Sequence, residues 1–242
     1  MTARSQDFYD SSLWGASTDW PADDRSLQCS VLTIQYGRPY IKDTMPRPSH
    51  RAKILAEGLR VVHEHGFGGS SVRDIVQAAG VPQGSFTNHF VSKEAFGLEI
   101  IEIHFAKICE LMRVTLCNDQ LPPLERLRHY LDSNIEQIRL NNTKNGCLFG
   151  NFAVEASDHS EAIRLRLVEI FAEVQRCIAY CLEAAVQSGE LPSSIDCDKV
   201  ARFIMTSMQG AILLAKTQRD AAPIEGFKSL LFSMVLRQPT MN

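Results

Sequence analysis

Residues 70–93 read SSVRDIVQAAGVPQGSFTNHFVSK, and this stretch decides the fold of the N-terminal part of the chain. Either Ser70 or Ser71 is a suitable N-cap for a short helix whose apolar positions recur at helical spacing. Gly80 ends that helix after about two turns, and Pro82 begins a second short helix. Two short helices around a tight glycine turn predict a helix-turn-helix, in which the second helix enters the major groove of DNA.

The second helix, predicted from about Gln83 to His89, carries the side chains expected to read DNA. Phe86 and Phe90 are expected to face inward and anchor it. The predicted exposed residues are short polar donors and acceptors that suit base edges and phosphates, namely Gln83, Ser85, Thr87, Asn88 and His89. A generic helical hairpin with a polar face is the alternative interpretation of the same pattern.

The overall charge of −3 hides a basic segment. Residues 46–93 are net +3, whereas residues 1–45 are net −2 and residues 94–242 are net −4. A small basic module on an acidic chain is typical of proteins that contact DNA phosphates. The sequence shows neither a basic-then-apolar leader nor an apolar run of membrane-spanning length, which predicts a cytoplasmic protein with no membrane partner.

Helical periodicity continues after this segment without a convincing strand, so the predicted fold class is all-α. Ser49 is a plausible N-cap of a helix that ends at Gly66, and Ser92 is one for a long helix from about Lys93 to Leu116. Five further helices are predicted at about 124–140, 147–157, 159–188, 197–219 and 224–237.

These patterns divide the chain into three parts. Residues 1–45 are rich in Ser, Asp, Pro and Gly without a sustained period and are interpreted as a disordered extension. One hypothesis is that translation begins at Met45, and the other is a genuine tail that assists DNA or partner contacts. Residues 46–92 form the predicted helix-turn-helix domain, and residues 93–242 form a helical effector-binding and dimerisation domain.

The stretch from His50 to Phe96 resembles the DNA-binding domain of the TetR family of bacterial regulators. The matching elements, in order, are Arg51-x-x-Ile54-Leu55, Gly66-Phe67, Ser71-Val72-x-x-Ile75, Ala79-Gly80-Val81, Gly84-Ser85-Phe86, His89-Phe90 and Ser92-Lys93-Glu94. The resemblance implies a homodimer that binds double-stranded operator DNA and is released from it by an effector.

The resemblance also implies which residues contact DNA. Positions 82–89 match the recognition helix, which adds Pro82 and Gly84 to the polar residues named above. Ser71 and Arg73 would meet phosphates from the preceding helix, and Lys93 would do so at the N-terminal end of the long helix. Thr87 stands where the family often has a tyrosine that contacts the DNA backbone, and threonine is shorter, so that contact is in question.

The C-terminal half resembles, less specifically, the subgroup typified by the repressor of N-ethylmaleimide reductase, through Asn145-Gly146-Cys147-Leu148, Glu155 and Leu214-Ala215-Lys216. Regulators of that subgroup respond to electrophiles such as quinones, aldehydes or chlorine oxidants through cysteine or lysine chemistry. Cys147 and Lys216 occupy the matching positions.

A thiol at a helix N-terminus favours the reactive thiolate, which supports Cys147 as a sensor. The alternatives are a small packing residue for Cys147 and a solvated lysine for Lys216. Cys109 and Cys117, on the long helix, are further candidates for lining an effector pocket beneath that helix.

Seven cysteines at irregular spacings, without an export signal, are expected to be reduced. Cys177 and Cys181 share a helix face and are expected to pack in the core, since no further ligand completes a metal site. No metal and no cofactor is predicted.

The last two predicted helices carry apolar residues beyond a single face, including Phe203, Leu214, Leu230 and Met234. This pattern predicts a four-helix interface between two subunits. The predicted function is therefore an effector-responsive DNA-binding repressor rather than an enzyme. Two alternatives are a thiol enzyme built on Cys147 with His159 and Asp158, and an interaction protein of the same fold that has lost DNA binding.

Overall fold

A computed structural model describes residues 49–236 of the 242-residue chain. These residues form nine α-helices and no strand, so the predicted all-α class is confirmed. The helices are α1 His50–His65, α2 Val72–Ala78, α3 Gly84–His89, α4 Lys93–Val114, α5 Pro123–Leu140, α6 Leu148–Ala156, α7 Glu161–Gln187, α8 Cys197–Gln218 and α9 Ala222–Leu230. A π-helical turn, Leu231–Val235, follows α9 directly.

The predictions for residues 1–45, including the start at Met45, lie outside the described residues. No helix in the described part of the chain is long and apolar enough to cross a membrane.

The predicted caps fix the ends of the N-terminal helices. Ser49 and Ser92 are the N-caps of α1 and α4, and each hydroxyl accepts a hydrogen bond from a backbone N–H three residues on. Gly66 ends α1 at a φ of 82°, in the left-handed region that glycine adopts without steric cost. The helix bounds agree with the sequence here because caps are local interactions.

The choice between the two serines before α2 is settled by their different environments. Ser71 is the N-cap and forms a capping box with Asp74, in which each side chain accepts from the other residue's backbone N–H. Ser70 is buried, and its hydroxyl donates to the carbonyl oxygen of Gly66 at 2.6 Å. Ser70 therefore fixes the connection between α1 and α2, whereas Ser71 begins the helix.

An aromatic cluster joins α3 to α4. The ring centroids of Phe86, Phe90 and Phe96 lie 5.1–5.3 Å apart, and all three side chains are buried. The predicted inward direction of Phe86 and Phe90 is thus confirmed. Phe96 also fills the space over Gly58 of α1, where a Cβ atom would lie 2.4 Å from the ring.

The C-terminal part is a helical bundle in which α7 packs against α4, α5, α6 and α8, and α9 packs mainly on α8. Cys177 and Cys181 are buried on α7, as predicted for core residues, and the Cys181 thiol donates to the carbonyl oxygen of Pro123. No disulfide joins any two of the six described cysteines. Because α4 follows the hairpin formed by α2 and α3 and continues into this bundle, it covalently links the two parts.

Helices α8 and α9 leave apolar side chains uncovered. Leu213 is 64% exposed, and Phe203, Leu214 and Leu230 are about half exposed. Met234, in the π-helical turn that follows α9, is 72% exposed. The other apolar residues of α8, such as Ile204 and Met208, are buried within the chain. The predicted excess of apolar surface on the last two helices is therefore present.

Candidate DNA-binding surface and effector cavity

The outer face of α3 presents most of the predicted DNA-reading residues. Thr87, Asn88 and His89 are exposed, and so are the residues that lead into the helix, Pro82, Gln83 and Gly84. The Thr87 hydroxyl donates to the carbonyl oxygen of Gly84 at 3.1 Å, which holds this short side chain against its own helix.

The prediction that Ser85 is exposed is wrong. Its side chain is buried, and its hydroxyl lies 3.2 Å from Nδ1 of His50 at the start of α1. Periodicity within α3 could not reveal this, since the contact depends on how α1 packs across the hairpin. Ser85 orients the recognition helix in this structure, and a direct contact from Ser85 to DNA stays untested.

The basic and polar residues on either side of α3 that are predicted to contact DNA phosphates differ in their exposure. Arg73 and Ser71 are exposed near the start of α2. Lys93 is only partly exposed: its ammonium group donates to the carbonyl oxygen of Phe67 at 2.6 Å and lies 4.6 Å from the centre of the Phe67 ring. Burial lowers the pKa of Lys93, although Glu155 and Asp74 oppose that shift. Lys93 thus secures the loop after α1, and its phosphate contact stays a prediction.

A cavity of about 430 Å³ lies beneath α4, where the sequence predicted an effector pocket. Residues of α1, α4, α5, α6, α7 and α8 line it, mostly with apolar and aromatic side chains. A dry cavity of about 150 Å³ accommodates benzene, so this space suits a molecule larger than a single aromatic ring. Among the described residues, no aspartate or glutamate lines the cavity.

Cys147 lines this cavity and is the N-cap of α6. Its sulfur accepts hydrogen bonds from the backbone N–H of Gly150 and from the side-chain amide of Gln209 on α8, both at 3.5 Å. The predicted position of Cys147, where a loop meets a helix N-terminus, is therefore confirmed. A modification of this sulfur would disturb contacts with both α6 and α8.

Lys216 lies close to the same turn but is not among the cavity-lining residues. Its ammonium group donates to the side-chain oxygen of Asn151 at 3.2 Å, and its aliphatic stem packs beside Gly146. The side-chain amide of Asn151 in turn donates to the carbonyl oxygen of Asn145. Lys216 and Cys147 thus both lie at the short turn before α6.

Cys109 and Cys117 do not line the cavity, so their prediction as pocket residues is wrong. The cavity-facing residues of α4 follow helical spacing from His104 through Ile108. Cys109 is one residue further and points about 100° away, and burial raises the pKa of its thiol. Cys117 lies beyond the end of α4.

Two histidines in the cavity wall were missed by the sequence reasoning. His63 belongs to α1, and its Nε2 lies 3.0 Å from the carbonyl oxygen of Gly146, the residue before Cys147. The ring centroid of His104, on α4, lies 5.9 Å from that of His63 and 4.9 Å from that of Phe149, which it meets edge to face. Burial lowers the pKa of His63 and lowers that of His104 to about 4. No local signal marks these residues, because the contacts join segments far apart in sequence.

Helix α6 connects Cys147, the sensor candidate, to the loop between α1 and α2. Cys147 caps its first turn, and Glu155 near its end accepts a hydrogen bond from the backbone N–H of Gly68 at 2.7 Å. Phe152 of α6 stacks on Phe67 at 4.8 Å. A displacement of α6 would therefore move the loop between α1 and α2.

The thiol-enzyme alternative does not fit the geometry. His159 and Asp158 are exposed in the loop after α6, whereas Cys147 precedes its first residue. Nine helical residues separate the two ends by about 13 Å, which is far beyond hydrogen-bonding reach. Among the described residues, no group of His, Cys, Asp or Glu side chains could hold a metal ion.

The fold and the exposed recognition helix define an all-helical regulator with an N-terminal helix-turn-helix and a C-terminal bundle. Residues 54–100 match the profile described as bacterial regulatory proteins, tetR family, and residues 123–231 match the tetracyclin repressor-like C-terminal domain. This chain belongs to the TetR family of bacterial regulatory proteins. It is a DNA-binding transcriptional regulator and not an enzyme.

Known repressors resemble the chain over most of their length. The HTH-type transcriptional repressor DhaR of Mycobacterium sp. (strain GP1) is 36% identical over 192 residues, which span 79% of this chain and 95% of DhaR. The HTH-type transcriptional repressor NemR of Escherichia coli (strain K12) is 28% identical over 175 residues, or 72% of this chain and 88% of NemR.

Two solved structures share the architecture. The regulatory protein TetR from Rhodobacter sphaeroides aligns with a TM-score of 0.71 and 30% identity over 74% of this chain and 95% of that protein. The reduced form of E. coli NemR aligns with a TM-score of 0.64 and 27% identity over 75% of this chain and 95% of NemR. Regulators of this family bind operator DNA and typically act as homodimers.

Proposed function

We propose that this chain is a cytoplasmic, homodimeric repressor that binds a palindromic operator through α3 and leaves it when an effector occupies or modifies the cavity beneath α4. Residues 46–92 act as the DNA-binding domain, and residues 93–242 act as the effector-binding and dimerisation domain. The exposed polar face of α3, anchored from behind by three phenylalanines, carries the DNA-binding half of the proposal. Two such helices would lie about 34 Å apart on successive turns of DNA.

The effector half of the proposal depends on the position of Cys147 in the cavity wall. An electrophile with an activated carbon–carbon double bond reacts in the cavity with the Cys147 thiolate. The sulfur bonds to the β-carbon, the π bond breaks, and the α-carbon takes a proton from water. The added volume breaks the contacts of Cys147 with Gly150 and Gln209 and shifts α6. The Glu155–Gly68 contact then transmits this shift to the loop before α2. Lys216, beside the same turn, is the second group of this sensor.

Fluorescence anisotropy with a duplex from upstream of the protein's own gene tests both halves. The dimer is expected to bind at low salt and to lose at least about tenfold in affinity after treatment with N-ethylmaleimide. Cys147→Ser should retain binding after the same treatment. Cys109→Ser, a half-buried thiol outside the cavity, should respond like the unaltered protein.

The DNA-binding part and the effector part of the proposal would be contradicted by different results. Release of the Cys147→Ser protein by N-ethylmaleimide would contradict the thiol mechanism and leave operator binding intact. Failure of the untreated protein to bind any duplex near its gene would favour the remaining alternative, an interaction protein of the same fold.

A further inference from the structure

The cavity contains a polar group whose hydrogen-bonding capacity the protein leaves unused. His104 lines the cavity, and within the described chain it makes ring contacts with His63 and Phe149 but no hydrogen bond. No fully buried side-chain nitrogen or oxygen in the described residues lacks a hydrogen-bond partner. The ring nitrogens of His104 are therefore not fully buried. Because the side chain lines the cavity, a molecule in the cavity can reach them.

The tautomer of the neighbouring histidine follows from its contact. Nε2 of His63 faces a carbonyl oxygen, which can only accept, so Nε2 carries the proton and donates to Gly146. His63 is part of α1, and Gly146 precedes Cys147. One wall of the cavity is thus a direct contact between α1, which packs on α2 and α3, and the turn that holds Cys147.

The charged groups around the cavity determine which ligand charge the site favours. No carboxylate lines it, Lys107 does, and the positive charge of Lys216 reaches His63. Burial keeps both imidazoles neutral, so each has one N–H. The N–H of His63 already donates to Gly146, and His104 therefore supplies the donor that a ligand can use. A ligand oxygen with negative partial charge is favoured in such a site, whereas a cation would be repelled and find no counter-ion.

We propose that His104, beside His63, is the anchoring group of the effector site, and that the site takes a small, largely apolar molecule with a carbonyl or carboxylate oxygen and no positive charge. The oxygen accepts the His104 N–H, and the apolar part packs between Phe149, Phe171 and Met208. A ligand held there contacts α1 through His63 and can displace the His63–Gly146 hydrogen bond. This inference rests on the proposed effector-released function, and it requires no covalent chemistry.

Three ring-matched probes test the ligand class without reacting with the thiol: benzamide, benzoate and phenyltrimethylammonium. Imidazole NMR signals of the full-length dimer, assigned with His63→Gln and His104→Phe, report binding at the site. Saturable shifts of the His104 signals are expected with benzamide, benzoate or both, and not with the cation. Benzamide alone would identify a neutral carbonyl as the ligand group, and benzoate alone a carboxylate.

Two substitutions separate the anchor from the rest of the cavity. His104→Phe keeps the ring packing on Phe149 but removes the donor, and it should weaken probe binding by about tenfold or more, which is the worth of one buried hydrogen bond. His129→Phe makes the same change on the exposed side of α5 and should leave affinity unchanged. Equal binding of the cation, unchanged affinity in His104→Phe, or no binding of any probe would overturn the inference.

The operator assay distinguishes this inference from the proposed function. If a probe binds in a His104-dependent manner but does not release operator DNA, the site assignment stands and effector release through this cavity fails. If a probe releases DNA equally from the unaltered and His104→Phe proteins, effector release stands and the anchoring role of His104 is wrong.

Discussion

At the scale of single residues, two features require a glycine at position 66: its backbone conformation and the close approach of Glu155. Its φ is 82°, and a Cβ atom there would lie 2.4 Å from a carboxylate oxygen of Glu155. Gly189 is a matched control because its φ is 77° but a Cβ would meet no atom within 4 Å. We expect Gly189→Ala to lower the free energy of unfolding by about 1–2 kcal/mol and Gly66→Ala by about 1–3 kcal/mol more.

Urea titrations of both variants check this expectation. An equal decrease in the free energy of unfolding of the two variants would mean that the Glu155 side chain moves aside without destabilising the fold. The contact between α6 and the loop after α1 would then be too soft to transmit a signal.

The second residue-scale prediction concerns pH. Because burial lowers the pKa of His104 to about 4, the unfolded chain binds a proton below pH 6.5 that the folded chain does not. The folded state is thus destabilised as pH falls from 6.5 to about 4, by at most about 3 kcal/mol from this residue. Above pH 6.5 the residue adds no pH dependence.

Thermal unfolding from pH 4.5 to 8 tests this linkage. His104→Phe should show a flatter decline in stability below pH 6.5 than the unaltered protein, because the proton uptake of the unfolded chain is lost. His63, whose pKa burial also lowers, accounts for part of the remaining slope. Parallel curves for the two proteins would show that His104 titrates normally in the folded state.

At the scale of elements, α2 and α3 should contribute differently to DNA binding. Asn88 is exposed on α3, where an amide can pair with a base edge, whereas Arg73 lies on α2 beside the predicted phosphate path. Asn88→Ala should cost about 1–3 kcal/mol on the specific operator and little on unrelated DNA. Arg73→Ala should weaken binding to all sequences and lower the salt slope by about one per subunit.

Anisotropy titrations on operator and scrambled duplexes at several salt concentrations separate these effects. Arg128 is an exposed arginine of α5, so Arg128→Ala is the charge-matched control. It should change neither the affinity for DNA nor the salt slope. A loss for Asn88→Ala that is equal on both duplexes would exclude base reading at this position.

The same elements show which structural features the sequence alone could predict. Helix ends were predicted closely because Ser49, Ser71 and Gly66 act on backbone groups a few residues away. The environment of Ser85 and the orientation of Cys109 were predicted wrongly, since both depend on which face of a helix a distant segment covers. For the same reason no sequence pattern indicated the cavity wall made by α1 and the turn before α6.

At the scale of the whole molecule, the exposed apolar residues of α8 and α9 predict a dimer built on these two helices. A monomer that left Leu213, Leu214 and Leu230 in water would forgo about 1.5–3 kcal/mol for each side chain that a partner could bury. A palindromic operator requires two recognition helices, so subunit association and operator affinity should be lost together.

Leu213→Glu and Leu230→Glu should therefore be monomeric by sedimentation at micromolar concentration and should lose operator binding, while helix content stays unchanged. Val114→Glu introduces the same charge at an exposed apolar position on α4, and it should remain a dimer that binds DNA. Each Glu variant leaves α3 and its anchoring phenylalanines untouched, so a monomer that still bound the operator tightly would show that one hairpin suffices. A dimer that persisted in both Leu variants would place the interface elsewhere on the bundle.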